Sequence, residues 1–427
     1  MVTPKTGIKL FHQHPAISLS ILTLITSFYS CSALSFQYQW NQHNLEFEAS
    51  TRMGMVDVAA ANDARAGSIL LRTHFTSRWT STLRSEIEID HVNLFWEDDF
   101  TNGVNFNNKP VVPDVAGTDL NQFFVSYELN NTLSVSLGRE AYNLGNQRMV
   151  GTNGFWQNEQ SFDGAGMRYE FASASHVQYH YIANANRING NDAGKQLDPD
   201  DINFVTNNGL RPAKFLGDHE HDTHLLFAQF KEWDFSVLQA YYLDMDIKDA
   251  LALSNRTLGI RYEHKGRTGK LRTLGHAELA LQTRNEVSDN TSYLYQSFAI
   301  GAGYGPSEIS VNYERLGENK DKSFVTPLAS LHDKNGWADK FLLTPNSGLR
   351  DYSLRYIWRK SPIKVDGRYH LFYTDVNQSA IGTEVDLDVE YKFANKQSFL
   401  LRLANFESLN DQFTSENRTF LMYHYHF

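Results

Sequence analysis

Arginine is the residue type best placed to do chemistry in this chain of 427 residues. A guanidinium group stays charged at every relevant pH and presents a planar fork to carboxylates. Arg72, Arg84, Arg168, Arg261, Arg355, Arg368 and Arg402 all stand in stretches where charged and apolar residues alternate. Arginines so placed either attract a passing anion or neutralise the acids beside them. Other chemistries find little support. His176, His180 and His224 lie near serines, but none belongs to a nucleophile–base–acid motif. His219, Glu220, His221 and Asp222 form a His/acid run that reads as a solvated loop segment rather than a metal centre. Asp198, Asp200 and Asp201 are not followed by a complete calcium loop, and a Gly-rich phosphate loop is absent. No catalytic residue, metal or cofactor is assigned, and the chain does not read as an enzyme.

The elements that must position these arginines are strands. Leu45, Phe47, Ala49 and Thr51 alternate with Glu46, Glu48, Ser50 and Arg52. Near the end Val385, Leu387, Val389 and Tyr391 alternate with Glu384, Asp386, Asp388 and Glu390. Charges at every second position cannot share one helix face. About 18 such segments follow one another, each of roughly 9 to 13 residues, the length a tilted strand needs to cross a bilayer. Their connections alternate between tight turns (Asn130-Asn131, Gly305-Pro306, Ser361-Pro362, Ala394-Asn395) and longer links at 96–118, 142–161, 187–221, 317–349 and 407–416. A propeller or sandwich has no reason to alternate its loops in this way. The pattern predicts an all-β fold: a transmembrane antiparallel up-and-down β-barrel of about 18 strands, with short periplasmic turns and long extracellular loops. Leu421, Tyr423, Tyr425 and Phe427 give the last strand an aromatic face and a terminal Phe, which resembles the signal read by outer-membrane assembly machinery.

Composition is compatible with that barrel. Hydrophobic residues make up 41%, aromatics 13%, and mean hydropathy is −0.45, as expected where a lipid face and a wet lumen alternate. Lys5 and Lys9 precede the apolar stretch Ala16 to Ala33, and Ala33-Leu34-Ser35 supplies small residues for cleavage, so 1–35 is expected to be a cleaved signal peptide. Residues 36–427 then form a single barrel domain in a bacterial outer membrane. The only cysteine, Cys31, leaves with the leader, and the net charge of −10 becomes −12 without Lys5 and Lys9. That balance excludes a nucleic-acid partner, which needs a basic face.

One stretch departs from generic barrel sequence. It runs Leu137-Gly138-Arg139-Glu140, then Asn146-Gln147-Arg148-Met149-Val150-Gly151, then Trp156-Gln157-Asn158-Glu159-Gln160-Ser161-Phe162-Asp163. It resembles the alginate-export family of outer-membrane porins, in which LGRQ, NQRFVG and WRQNEQTFD blocks recur, loosely over most of the chain and closely over 110–190. The resemblance implies an 18-stranded monomeric barrel, and its best-known member exports an acidic polysaccharide through an arginine-lined constriction. Arg139, Arg148 and Arg187 fall in the matching blocks, with Arg168 on the next inward face. Two departures weaken a polyuronate substrate: Glu140 stands where the family has Gln, and Phe155-Trp156-Gln157 where it has Trp-Arg-Gln.

The alternation places roughly eleven basic and fifteen acidic residues toward the lumen, a mixed lining rather than a polyanion conduit. Arg139 shares the phase of lipid-facing Val135 and Leu137; a bulge at Gly138 would turn it inward, and otherwise it snorkels at the rim. The loop Tyr142 to Ser161 either folds into the lumen or packs on the rim. The sequence therefore predicts a porin-like channel for passive passage of hydrophilic, saccharide or anionic solutes, with pore residues Arg139, Arg148, Arg168, Arg187, Arg72 and Arg261. The alternative is dedicated export of an acidic exopolysaccharide such as alginate, with periplasmic partners. A remote third reading is a barrel hydrolase. Expected partners are outer-membrane lipid and a small hydrophilic or saccharide solute.

Overall fold

The computed structural model describes residues 38–40, 42–59, 63–105, 107–172, 174–190, 193, 217–284, 291–393 and 396–426. The segment 1–35 expected to be a signal peptide, the aspartates at 198, 200 and 201, the turn Ala394-Asn395 and the terminal Phe427 lie outside the described residues. After a short strand β1 (Tyr38–Trp40), the first half of the chain runs through β2 (His43–Val58), β3 (Ala64–Arg78), β4 (Leu83–Phe95), β5 (Gly117–Glu128), β6 (Leu133–Glu140), β7 (Ser161–Ala172) and β8 (Ser175–Asn186). It continues with β9 (Asp218–Trp233), β10 (Ser236–Ile247), β11 (Asn255–Thr268), β12 (Leu271–Arg284), β13 (Ser292–Tyr304) and β14 (Ser307–Leu316). A small hairpin, β15 (Glu318–Asn319) and β16 (Lys322–Ser323), sits in the following loop. The last strands are β17 (Leu349–Lys360), β18 (Ile363–Tyr373), β19 (Ala380–Lys392), β20 (Gln397–Ser408) and β21 (Glu416–His426).

Each long strand pairs antiparallel with its neighbours in sequence, and β2 pairs with β21 from Glu48↔His426 to Val58↔Glu416. The sheet thus closes into an 18-stranded barrel made of β2–β14 and β17–β21. Closure removes every sheet edge, which is what a lipid environment demands of strands. The β1 strand pairs with the first residues of β2, beside the end of β21.

The period of two explains which face is which. Across β13, β14, β17 and β18 the register row Ile300↔Val311, Leu354↔Tyr369 is exposed and apolar, with Ile300 75% accessible. The next row, Phe298, Tyr313 and Tyr352, continues this outward belt with aromatic rings. Residues of the other parity, such as Glu278, Asp366, Asp386 and Arg402, point inward and are buried. No described helix is long and apolar enough to cross a membrane; the crossing elements are strands.

Local irregularities have local causes. The register between β4 and β5 steps from Glu88↔Gln122 to Ile89↔Leu120, leaving Asn121 as a bulge residue. Its side-chain amide turns inward and donates to Glu88 Oε1 at 2.5 Å. Gly138 has φ +131°, and a Cβ there would lie 2.2 Å from the Phe123 carbonyl oxygen, so this strand pairing requires glycine.

Candidate lumen site

Two long connections, 141–160 and 317–348, fold back into the barrel. The reason is visible in their composition. Tyr142, Leu144, Met149 and Val150 from the first, with Phe324, Leu328, Trp337 and Phe341 from the second, are all buried in one cluster. The wall residues they meet, among them Tyr293, Tyr295, Leu316, Leu349, Phe372 and Phe406, stand near the long-loop ends of their strands. Apolar inward residues at that level would be exposed in an empty lumen, and burying them against loop side chains contributes about 1.5–3 kcal/mol per large residue. The loops also grip each other. Val150 bridges Leu328, the Gly151 N–H donates to the Leu328 carbonyl at 2.9 Å, and the Ser330 N–H donates to the Gln147 carbonyl at 3.0 Å.

A third connection, 96–116, supports the first. Arg52 on β2, 1% exposed, donates to Asp114 at 2.5 Å and to the Phe155 carbonyl. Ser68 and the Gln157 N–H complete the shell of Asp114 at 2.7 and 3.1 Å. Trp156, Phe100 and Val112 pack with wall residue Phe420. At the junction of the loops, Arg402 on β20 lies 4.4 Å from the Phe155 ring centre and 4.0 Å from that of Trp337. It forks onto Asp388 at 2.8 and 2.7 Å. Arg402 also donates to His332 Nε2 at 2.8 Å, which requires a neutral imidazole whose Nδ1–H is donated to Asp339 at 2.8 Å. Burial holds the His332 pKa below its ordinary value, against the pull of Asp339.

Below the packed loops lies a polar cavity of about 530 Å³. Its roof includes Arg148, Asp333, Lys334 and Asn335; its wall includes Arg261, Glu314, Asp351, Arg355 and Arg368. It reaches Lys265 and Glu308, close to the short-turn ends of β11 and β14. The charges are interleaved. Arg148 meets Glu314 at 3.0 Å, Arg261 meets Glu278 at 2.8 Å, Arg355 meets Asp366 at 2.8 Å, and His370 meets Asp351 at 2.8 Å. Lys334 differs: its ammonium donates to the Asn146 carbonyl at 3.0 Å, and burial lowers its pKa.

The six arginines singled out by sequence therefore fall in different places. Arg148 and Arg261 line the cavity. Arg72 forks onto Asp90 at 2.7 Å and reaches Glu159 at 2.9 Å, tying the first loop to the β3–β4 wall. Arg187 donates to Gln160 and to the Pro327 carbonyl, so it stitches both loops together, and burial lowers its pKa to about 10. Arg168 faces the lumen near the short-turn end of β7, against Glu170 and His176, away from the constriction. Arg139 is not turned inward. Its register partners are Phe123 and Asp163, the register is unshifted from exposed Leu137, and it forks onto Asp163 at 2.6 and 3.0 Å. The glycine before it relieves a close backbone approach without changing the phase of the strand.

The His219–Asp222 run is also placed differently from its sequence reading. It opens β9 rather than lying in a loop, and the pleat separates the two residue types. His219 and His221 are buried inward, His219 beside Asp249 at 3.0 Å, whereas Glu220 and Asp222 face out. His176, His180 and His224 contact Arg168, Tyr142 and Tyr179 respectively.

Comparison with known proteins places this architecture. A family model described as alginate export matches residues 89–187, the segment holding most of β4, β5–β8 and the first in-folded loop. No curated protein matches the chain. Among solved structures, OccAB4 of Acinetobacter baumannii aligns with TM-score 0.70 at 11% identity, covering 91% of this chain and 99% of that one. OpdL of Pseudomonas aeruginosa aligns with TM-score 0.65 at 12% identity, over 90% and 98% of the two chains. OccK5 (OpdH) of the same organism gives 0.62 and 12%, over 90% and 98%. At such identities the likeness is one of fold, that of the 18-stranded outer-membrane porin barrel.

Proposed function

We propose that this barrel, carrying an alginate-export signature on strands β4–β8, lies in a bacterial outer membrane and passes small hydrophilic solutes passively. The observation that carries the reading is a polar cavity of about 530 Å³ inside a closed barrel with an apolar outer belt, beneath a constriction built by two in-folded loops. Interleaved carboxylates and guanidinium groups in the cavity wall favour solutes with hydroxyls or mixed charge, such as saccharides, over a polyanion. Of the six arginines, Arg148 and Arg261 border the cavity and, nearly buried against Glu314 and Glu278, act on a passing solute through their charge; Arg72 and Arg187 hold the loops that set the aperture. The protein works as a monomer, with membrane lipid and the solute as its partners, and without catalysis.

The match to an alginate-export model at 89–187 favours a second reading, export of an acidic polysaccharide with periplasmic partners. One experiment separates the two: single-channel conductance of the refolded protein in a planar bilayer, under a salt gradient, with and without polyuronate. Open steps with weak selectivity and no polyuronate block are expected for the porin. Strong anion selectivity with block establishes the exporter, and absence of any conductance with folded protein removes the channel reading itself.

A further inference from the structure

Charges on the outward face lie where the lumen function does not use them. On β14 and β17, Arg315 and Arg350 are register partners, flanked in the same row by Gln296 on β13 and Tyr373 on β18. Both share the parity of exposed Val311 and Leu354, so their Cβ atoms point outward, away from the lumen. They stand at the long-loop ends of their strands. The row just beneath is the aromatic girdle: Tyr313 and Tyr352 lie 5.0 Å apart, with Phe298 and Tyr373 against them at 6.3 and 5.9 Å. This is the level at which a barrel leaves hydrocarbon for the outer headgroups.

Both guanidinium groups converge on one acid. Arg315 forks onto Asp375 at 2.6 and 2.9 Å, and Arg350 Nε donates to the same carboxylate at 2.8 Å. Asp375 also accepts the Glu318 N–H at 2.9 Å and is 3% exposed, whereas the two arginines are 23% and 20% exposed. Two cations thus share a single, shielded carboxylate, which sets their spacing; within this trio the guanidinium groups outnumber the acid two to one. Among the described residues the balance differs elsewhere on the rim. On β9–β11 the corresponding rim carries Glu220, Asp222, Asp244 and Asp246 against Lys248 and Arg256.

We infer that Arg315 and Arg350 form a phosphate-binding clamp for a phosphorylated glycolipid of the outer leaflet, held by Asp375 and seated on the Tyr313–Tyr352 girdle. A guanidinium pair matches phosphate oxygens, and the rings beneath meet the acyl-chain end of the same molecule. The inference rests on the membrane placement of the barrel and is independent of what crosses the lumen.

The test is native mass spectrometry of the folded full-length protein in detergent, titrated with purified diphosphoryl lipid A, with folding verified by heat-modifiable gel mobility. The wild type is expected to retain the lipid, and R315Q/R350Q to bind it at least about tenfold more weakly, since each basic group near an anionic surface accounts for roughly fivefold. Asp375→Asn, which keeps a side-chain oxygen to hold the two arginines while removing the competing negative charge, is expected to bind more tightly, so the idea stays testable where the double variant fails to fold. Inorganic phosphate at 10 mM is expected to leave the adduct in place. Equal retention by wild type and R315Q/R350Q, weaker binding by D375N, or displacement by inorganic phosphate overturns the assignment. Channel conductance is expected to be the same in all three proteins, so failure of the clamp is distinguishable from failure of the channel.

Discussion

Neutralising Arg148 and Glu314 one at a time should move ion selectivity in opposite directions. The pair is 3.0 Å apart in the roof and wall of the cavity, and both residues line it. A cavity of about 530 Å³ corresponds to a sphere of about 5 Å radius, so one wall charge acts on an ion at its centre across about that distance. In water this is ~0.8 kcal/mol, and 0.1 M salt screens it to ~0.5 kcal/mol. The effect has opposite sign for cation and anion, so removing one charge changes the cation-to-anion permeability ratio by about fivefold. Arg148→Gln should raise the ratio, Glu314→Gln should lower it, and the double variant should return close to wild type. The assay is the reversal potential in a planar bilayer under a tenfold salt gradient, with folding checked by gel mobility. Shifts of the same sign in both single variants, or no shift in either, refute the idea that ions pass through this cavity.

Other consequences follow from the loop anchors. His332 is held neutral in the native state with its pKa lowered, so the unfolded or released loop binds the extra proton; the anchor is intact above about pH 6.5 and weakens as pH falls below it. Channel openings should therefore become longer or larger between pH 7 and 5, and His332→Gln should remove that dependence; an unchanged pH response in the variant refutes it. Trp337, 1% exposed and beneath two guanidinium groups, should cost about 3–5 kcal/mol of loop packing when replaced by Ala, read as higher conductance and a lower unfolding temperature. Gly138→Ala should lower barrel stability by about 1–3 kcal/mol because of its left-handed φ and the nearby Phe123 carbonyl; an unaltered denaturation midpoint would contradict that geometry.

Most of the barrel was legible because its signal is periodic. The alternation through Leu45 to Arg52 and Glu384 to Tyr391 marks β2 and β19, and the turn chemistry of Gly305-Pro306 separates β13 from β14 at the predicted place. The match weakens where a strand continues past its apolar part: β9 begins at Asp218, inside a segment that reads as loop because His219, Glu220, His221 and Asp222 are all polar. The in-folding of 141–160 was left open by sequence, and that of 317–348 went unseen. A signal was present. Phe324, Leu328, Trp337 and Phe341 are too apolar for a loop that merely stands in water. Nor could sequence assign Arg139, Arg148 and Arg187 their partners. Motif position says which block a residue belongs to, whereas Asp163, Glu314 and Pro327 become neighbours only through the closed register and the loop fold.

In a barrel that conducts as proposed, the packed loops 141–160 and 317–348 above an open cavity make the two ends of the path electrically unequal. Resistances in series divide a voltage in proportion to their size, and an open polar cavity would be the smaller one. A membrane potential therefore falls mainly across the loops rather than evenly along the barrel. Asp333, Lys334 and Arg148, at the boundary of the two halves, then sit where the field is steepest, each experiencing up to ~2.3 kcal/mol per 100 mV when displaced through it. Reversing the polarity would push the same loop charges the other way, so a barrel that conducts as proposed is expected to rectify, with an asymmetry set by its loops.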